Sequence, residues 1–120
     1  MAKVLFIDDD FFTLETYDKI LSLYGHEAVL AETGEKGLKL AQDAAPEIIF
    51  LDRQMPDMDG FAILKQLRTD QLTADIPVIM LTASRDEFAK RAKQEGAQGF
   101  AAKPLRAKQL VDLIEQYATA

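Results

Sequence analysis

The sequence predicts an α/β fold: a single doubly wound parallel sheet of five strands in the order 2-1-3-4-5, covered by five helices. Three observations predict it. Short apolar runs alternate with segments of helical apolar spacing along the whole chain. The runs "VLFI", "IIFL" and "VIML" are apolar without interruption, as expected of parallel strands buried on both faces. Gly25, Gly34, Pro46, Gly60, Pro77, Gly96 and Pro104 fall near the junctions, where breakers belong.

The elements follow in order. Strand 1 is expected over Val4 to Ile7, followed by a helix whose apolar stripe is Leu14, Tyr17, Ile20, Leu21 and Tyr24. Strand 2 runs from Glu27 to Leu30, and the next helix carries Leu38 and Ala41. Strand 3 is Ile48 to Leu51, with Phe61, Leu64 and Leu67 on helix 3; strand 4 is Val78 to Leu81, with Phe88 and Ala92 on helix 4. Strand 5, Gly99 to Ala102, leads into a helix bearing Leu110, Leu113, Ile114 and Tyr117. Right-handed crossovers leave few topologies for this alternation, and the flavodoxin-like order places strands 1 and 3 side by side at the sheet's switch point.

Composition narrows the classes. A chain of 120 residues forms one domain, expected over 1–120, and its 48% hydrophobic and 28% charged residues suit a globular fold. With no cysteine there is neither a disulfide nor a thiolate site. No apolar run reaches membrane-spanning length and no signal peptide is evident, so no membrane association and a cytoplasmic setting are expected. A net charge of −6 opposes direct binding to nucleic acid.

The strand ends hold the chemistry. Strand 1 is followed by Asp8 and Asp9, strand 3 by Asp52, strand 4 by Thr82 and strand 5 by Lys103-Pro104. Neighbouring strands lie about 5 Å apart, so the carboxylates of Asp8, Asp9 and Asp52 crowd one site. At an effective dielectric near 20 each pair repels by roughly 2 to 4 kcal/mol. One lysine does not balance three anions; protonating one of them would relieve the strain, while a divalent cation does so with all three ionised. Oxygen ligands alone call for a hard ion, Mg²⁺ or Mn²⁺ in its place. Mg²⁺ is usually held by one or two carboxylates together with a phosphate, which points to phosphoryl chemistry.

The acid pair Asp8-Asp9, then "LDRQMPDMDG" from Leu51 to Gly60, "LTA" from Leu81 to Ala83 and Lys103-Pro104 occur in this order on the matching scaffold. In this the chain resembles the receiver domains of two-component response regulators, over essentially all 120 residues, most nearly the single-domain chemotaxis-regulator type. The resemblance implies a phosphorelay switch rather than an enzyme acting on other molecules. Asp52 would be the phosphoacceptor, served by a histidine kinase or histidine phosphotransfer protein. Asp9 would bind Mg²⁺ directly, Asp8 largely through water, and the Gln54 carbonyl would complete the ligands. Lys103 and Thr82 would contact the phosphoryl group, Ala83 would leave it room, and Gln54 and Ser84 would tune its lifetime. Thr82 and Phe100 would form the switch that reshapes the face of helix 4, strand 5 and helix 5 for a downstream protein. A phosphorylation-dependent homodimer stays open on the same grounds.

Plainer roles stand beside these. The strand-end acids could be solvated, Thr82 could cap a turn, Lys103 could be a surface lysine and Phe100 a fixed core aromatic. "SRDE" from Ser84 to Glu87 reads as a capping box. Asp10 is expected to cap helix 1, and Asp57 and Asp59 to shape their loop and cap helix 3, with Gly60 easing a tight backbone. His26, the only histidine, is a loop residue far from the strand ends. Helix 4 is basic through Arg85, Lys90, Arg91 and Lys93, a solvated face that an acidic partner could use. Gly37 departs from the alanine commoner in the family and costs about 1 kcal/mol of helix propensity. Helix 5 begins without an acidic or hydroxyl cap, with Arg106 and Lys108 near its positive end.

Other functions fit less well. The chain could be a receiver fragment of a longer response regulator or hybrid kinase. A Mg²⁺-dependent phosphatase with an aspartate nucleophile would want a second acid where Gln54 stands. A flavin-binding fold would want a hydroxyl- and glycine-rich phosphate loop where three anions stand. A receiver that only binds would not need Asp9, Asp52, Thr82 and Lys103 intact.

Overall fold

The computed structural model describes residues 1–83 and 89–118. Five strands and five helices alternate: β1 Lys3–Ile7, α1 Phe11–Leu23, β2 Glu27–Ala31, α2 Gly34–Ala44, β3 Ile48–Asp52, α3 Gly60–Thr69, β4 Val78–Thr82, α4 Ala89–Gln94, β5 Gly99–Ala102 and α5 Ala107–Tyr117. All neighbours pair in parallel in the order β2-β1-β3-β4-β5, as the sequence predicts. The strands run slightly further than expected. Asp52 and Thr82 are the last residues of β3 and β4, so the sheet itself fixes their backbones.

Side-chain alternation divides the core into two layers. Leu5 and Ile7 of β1, Ile49 and Leu51 of β3, and Val78 and Met80 of β4 pack with Ala41 of α2, Ile63, Leu64 and Leu67 of α3, and Ala92 of α4. Val4 and Phe6, Ile48 and Phe50, and Ile79 and Leu81 pack with Leu14, Tyr17 and Leu21 of α1 and Leu110 and Ile114 of α5. In that second layer Phe6 stacks on Tyr17 at 4.7 Å and on Phe50 at 5.3 Å between ring centroids. Among the described residues no helix is long and apolar enough to cross a membrane.

Local signals explain the helix starts. Asp10 caps α1, accepting from the Phe12 amide at 3.0 Å and the Thr13 hydroxyl at 2.9 Å, as its position predicts. Asp59 caps α3 through the Phe61 amide at 2.8 Å. Asp57 does something the sequence did not reveal: its carboxylate accepts from the Gly34 and Glu35 amides, at 2.9 and 3.1 Å, and so caps α2 across the fold. These bonds hold its pKa below the usual carboxylate value. The start of α5 has no side-chain cap, as expected. The capping box at Ser84 lies outside the described residues.

Two glycines prove to be matters of space. At Gly37 a Cβ would lie 2.6 Å from Cδ1 and 2.8 Å from Cγ1 of Ile7, so α2 approaches β1 closely because the side chain is missing. Gly60 is explained by packing too: a Cβ there would lie 2.6 Å from the Asp52 carbonyl oxygen and 2.7 Å from the Arg53 Cα, and its φ is not left-handed. His26 sits between α1 and β2, where its Nδ1 accepts from the Ala2 amide at 2.9 Å.

Candidate functional site

Register brings the strand ends together. Ile7 pairs with Leu51, so Asp8 and Asp52 follow on adjacent strands; Asp52 pairs with Leu81, and Thr82 with Ala102, immediately before Lys103. The period of two then selects the face. Asp8 follows Phe6, Asp52 follows Phe50 and Lys103 follows Ala101, each two residues beyond a member of the α1/α5 layer. Three residues distant in sequence therefore converge on one side. Lys103 Nζ lies 2.9 Å from Asp8 Oδ2 and 3.3 Å from Asp52 Oδ2.

Asp8 and Asp52 are buried, with 2% and 7% of their surface exposed, whereas Asp9 is exposed. One carboxylate oxygen of each lies within 4.8 Å of the others, so the crowding expected from strand spacing is present. The remaining bonds hold the acids in place: Asp8 Oδ1 accepts from the Asp10 amide at 2.9 Å, and Asp52 Oδ1 from the Gln54 amide at 3.4 Å. Lys103 is fixed by its own amide, which donates to the Thr82 carbonyl at 2.8 Å; its peptide bond to Pro104 is cis.

The electrostatics follow the burial. Desolvation raises the Asp52 pKa; Lys103 opposes that rise, Asp8 adds to it, and the Gln54 amide opposes it again. For Lys103 desolvation acts downward, but the bond to Asp8 and the charges of Asp8 and Asp52 outweigh it and leave its pKa raised. Tyr17, read from the sequence only as part of an apolar stripe, lies close enough to feel the same charges. Burial first, then Asp8, pushes its phenol up to about 12.

Above these groups opens a cleft of about 480 Å³, bordered by Asp9, Asp52, Gln54, Thr82, Ala83 and Lys103. Three carboxylates, two of them buried, form a donor set suited to a hard divalent cation, with Gln54 on the rim of the same cleft. Thr82 and Phe100 fall on the opposite face from Asp52: Met80, two residues before Thr82, pairs with Phe100 in β5, and the half-buried Phe100 packs against the α2/α3/α4 layer. Of the predicted site residues, Asp9, Asp52, Gln54, Thr82, Ala83 and Lys103 border the cleft, Asp8 is buried beside it and paired with Lys103, Phe100 lies on the far face of the sheet, and Ser84 is outside the described residues.

Comparison with known proteins gives a consistent result. The family model described as response regulator receiver domain matches residues 4–115. Protein PilH of Pseudomonas aeruginosa is 33% identical over 115 residues, covering 95% of each chain. The DNA-binding dual master transcriptional regulator RpaA of Synechocystis sp. is 36% identical over 112 residues; these are 92% of this chain and 46% of RpaA, so the chain spans about half of that relative. Among solved structures, chemotaxis protein CheY4 of Vibrio cholerae superposes with a TM-score of 0.90 at 31% identity, covering 98% of both chains.

Proposed function

Because the chain belongs to the response regulator receiver domain family, we propose that it is a phosphorylation-controlled switch in which Asp52 accepts a phosphoryl group from a histidine kinase or histidine phosphotransfer protein. The observation that carries this reading is the convergence of buried Asp8 and Asp52 on Lys103 beneath an open cleft. A carboxylate oxygen of Asp52 attacks phosphorus in line, a P–O bond forms, and the P–N bond to the donor imidazole breaks. Charge neutralisation and positioning are what such a transfer needs from the protein.

Each neighbour has a role in that step. Lys103, already within 3.3 Å of Asp52, pairs with the phosphoryl oxygens. The Thr82 hydroxyl donates to the attached group, and the small side chain of Ala83 leaves room for it. Asp8, Asp9, Asp52 and the Gln54 carbonyl are the residues that would hold Mg²⁺, with Mn²⁺ able to replace it. When bound, the ion neutralises the crowded carboxylates and the charge developing on the transferred group. Gln54 and Ser84, each two positions beyond a site residue, set the lifetime of the phosphoryl group.

On phosphorylation Thr82 moves toward the phosphoryl group and Phe100 shifts inward, which biases the face of α4, β5 and α5 toward a form that binds a downstream protein. The domain, taken as residues 1–120, acts in the cytoplasm, alone or within a longer regulator or hybrid kinase. Incubation with acetyl phosphate and Mg²⁺ tests the reading: intact mass should rise by one phosphoryl group in the parent and not in Asp52→Asn. Equal labelling of that variant would overturn the assignment.

A further inference from the structure

The loop between β3 and α3 contains Gln54, whose backbone is a proposed cation ligand, and it is fastened to the fold at two levels. Its base is closed on itself and on the sheet. Gln54 faces Asp59 across an antiparallel bridge, the Gly60 amide donates to the Arg53 carbonyl at 2.7 Å, and the Arg53 amide donates to the Leu81 carbonyl of β4 at 2.8 Å. The tip, Met55 to Met58, reaches a different element. Both oxygens of the Asp57 carboxylate accept from the first turn of α2, one from the Gly34 amide at 2.9 Å and the other from the Glu35 amide at 3.1 Å.

Packing supports the same attachment independently. Met58 is half-buried against the α2/α3/α4 layer, and a Cβ on Gly34 would lie 3.1 Å from its Sδ and 3.2 Å from its Cβ, so the missing side chain lets the loop tip settle on the helix. Thr33 caps the same helix from its own side. Its hydroxyl accepts from the Lys36 amide at 3.1 Å and its carbonyl from the Gly37 amide at 3.0 Å. Thr33 and Asp57 together therefore satisfy the amides of Gly34 to Gly37, the first locally and the second from 23 residues away. Topology gives the remote bond its position. Because β1 lies between β2 and β3, the loop after β3 reaches past the carboxyl end of β1, where Asp8 and Asp9 stand, to the helix after β2.

We infer that Asp57 is a positioning residue for the divalent cation: by clamping the tip of the β3–α3 loop to α2, it holds the Gln54 backbone in the form that completes the site with Asp8, Asp9 and Asp52. The inference rests on the reading above that these residues hold Mg²⁺. The Gln54 carbonyl belongs to the peptide that joins the closed base to the tip, so its orientation depends on where the tip is held. A ligand group counts only in the fraction of molecules that keep it in place, and apparent affinity falls in proportion to that fraction. A loop ordered before binding also has less conformational freedom left to lose. The coupling works in both directions: the factor that the clamp adds to cation affinity is the factor that bound cation adds to the persistence of the clamp.

The test is a titration of the full chain with Mg²⁺ alone, followed through the amide shifts of Asp9 and Asp52 by NMR. Asp57→Ala should raise the Mg²⁺ concentration at half-saturation by about threefold or more. Thr33→Ala removes a cap from the same helix end without touching the loop; it should lower the melting temperature yet keep half-saturation within about twofold of the parent. Asp57→Asn, which keeps a carbonyl acceptor, should fall between the parent and Asp57→Ala, and supplies the measurement if Asp57→Ala does not fold. In the parent, saturating Mg²⁺ should slow hydrogen exchange at the Gly34 and Glu35 amides by about threefold or more. Unchanged half-saturation in the Asp57 variants, an equal weakening in Thr33→Ala, or exchange at Gly34 and Glu35 that is indifferent to Mg²⁺ would each overturn the inference. A parent protein that shows no Mg²⁺ response at Asp9 and Asp52 would instead remove the metal reading on which it stands.

Discussion

Asp52 is more costly to ionise in the folded chain than in the unfolded one, because burial outweighs the help it receives from Lys103. The consequence has a definite sign. A carboxyl whose pKa is raised by folding favours the native state below its unfolded value, about 3.9, and that contribution is lost as pH rises through the folded value. Asp52→Asn should therefore unfold at a higher temperature than the parent at pH 7 in EDTA, with the gain disappearing near pH 4. Thermal melts followed by circular dichroism check this, and a lower melting temperature for the variant at pH 7 would contradict the burial argument. Asp57 has the opposite sign. Its carboxylate is stabilised by the Gly34 and Glu35 amides, so its contribution is present above about pH 4 and lost as pH falls through its depressed folded value. Asp57→Asn should lower the melting temperature at pH 7 and leave it nearly unchanged at pH 2.

At the scale of elements, the spacing of α2 and β1 shows how a local rule yields to packing. Glycine inside a helix costs about 1 kcal/mol relative to alanine, which taken alone makes Gly37→Ala stabilising. The Ile7 side chain reverses that expectation. It is buried, and Cδ1, Cγ1 and Cγ2 all lie within 3.0 Å of where the new Cβ would stand, so neither branch can turn away. Overpacking of this kind costs about 1 to 3 kcal/mol. Gly37→Ala should thus be destabilising, by up to about 2 kcal/mol in urea titrations once the propensity gain is subtracted, and Ile7→Val, which removes Cδ1, should recover part of the loss in the double variant. A stabilised Gly37→Ala would mean that α2 moves outward at little cost.

At the scale of the whole molecule, the site joins the two ends of the chain. Lys103 bonds to Asp8, 95 residues away, and to Asp52, 51 residues away, so occupation of the site is linked to global stability. A ligand that binds only the folded form stabilises it by about 2.7 kcal/mol at one hundred times its dissociation constant. Added Mg²⁺ should raise the melting temperature of the parent with a logarithmic dependence on concentration, and EDTA should reverse the rise. Asp9→Asn, which removes the exposed carboxylate, should weaken that dependence by tenfold or more in Mg²⁺ concentration; the same dependence in both proteins would exclude Asp9 as a ligand. Much of this architecture could be read before any coordinates. Apolar runs, helical spacing and breakers are local properties, and they determined the ten elements and their order, the two-sided burial of the sheet, the caps at Asp10 and Asp59 and the acids at the strand ends. The tertiary structure decided what depends on register and on the distance between elements: that Asp8, Asp52 and Lys103 share one face while Thr82 and Phe100 share the other, that Asp57 caps α2, and that Gly37 makes room for Ile7. A strand fixes only the alternation of its side chains. Which of them meet is settled when parallel strands lock in register and the helices close over them.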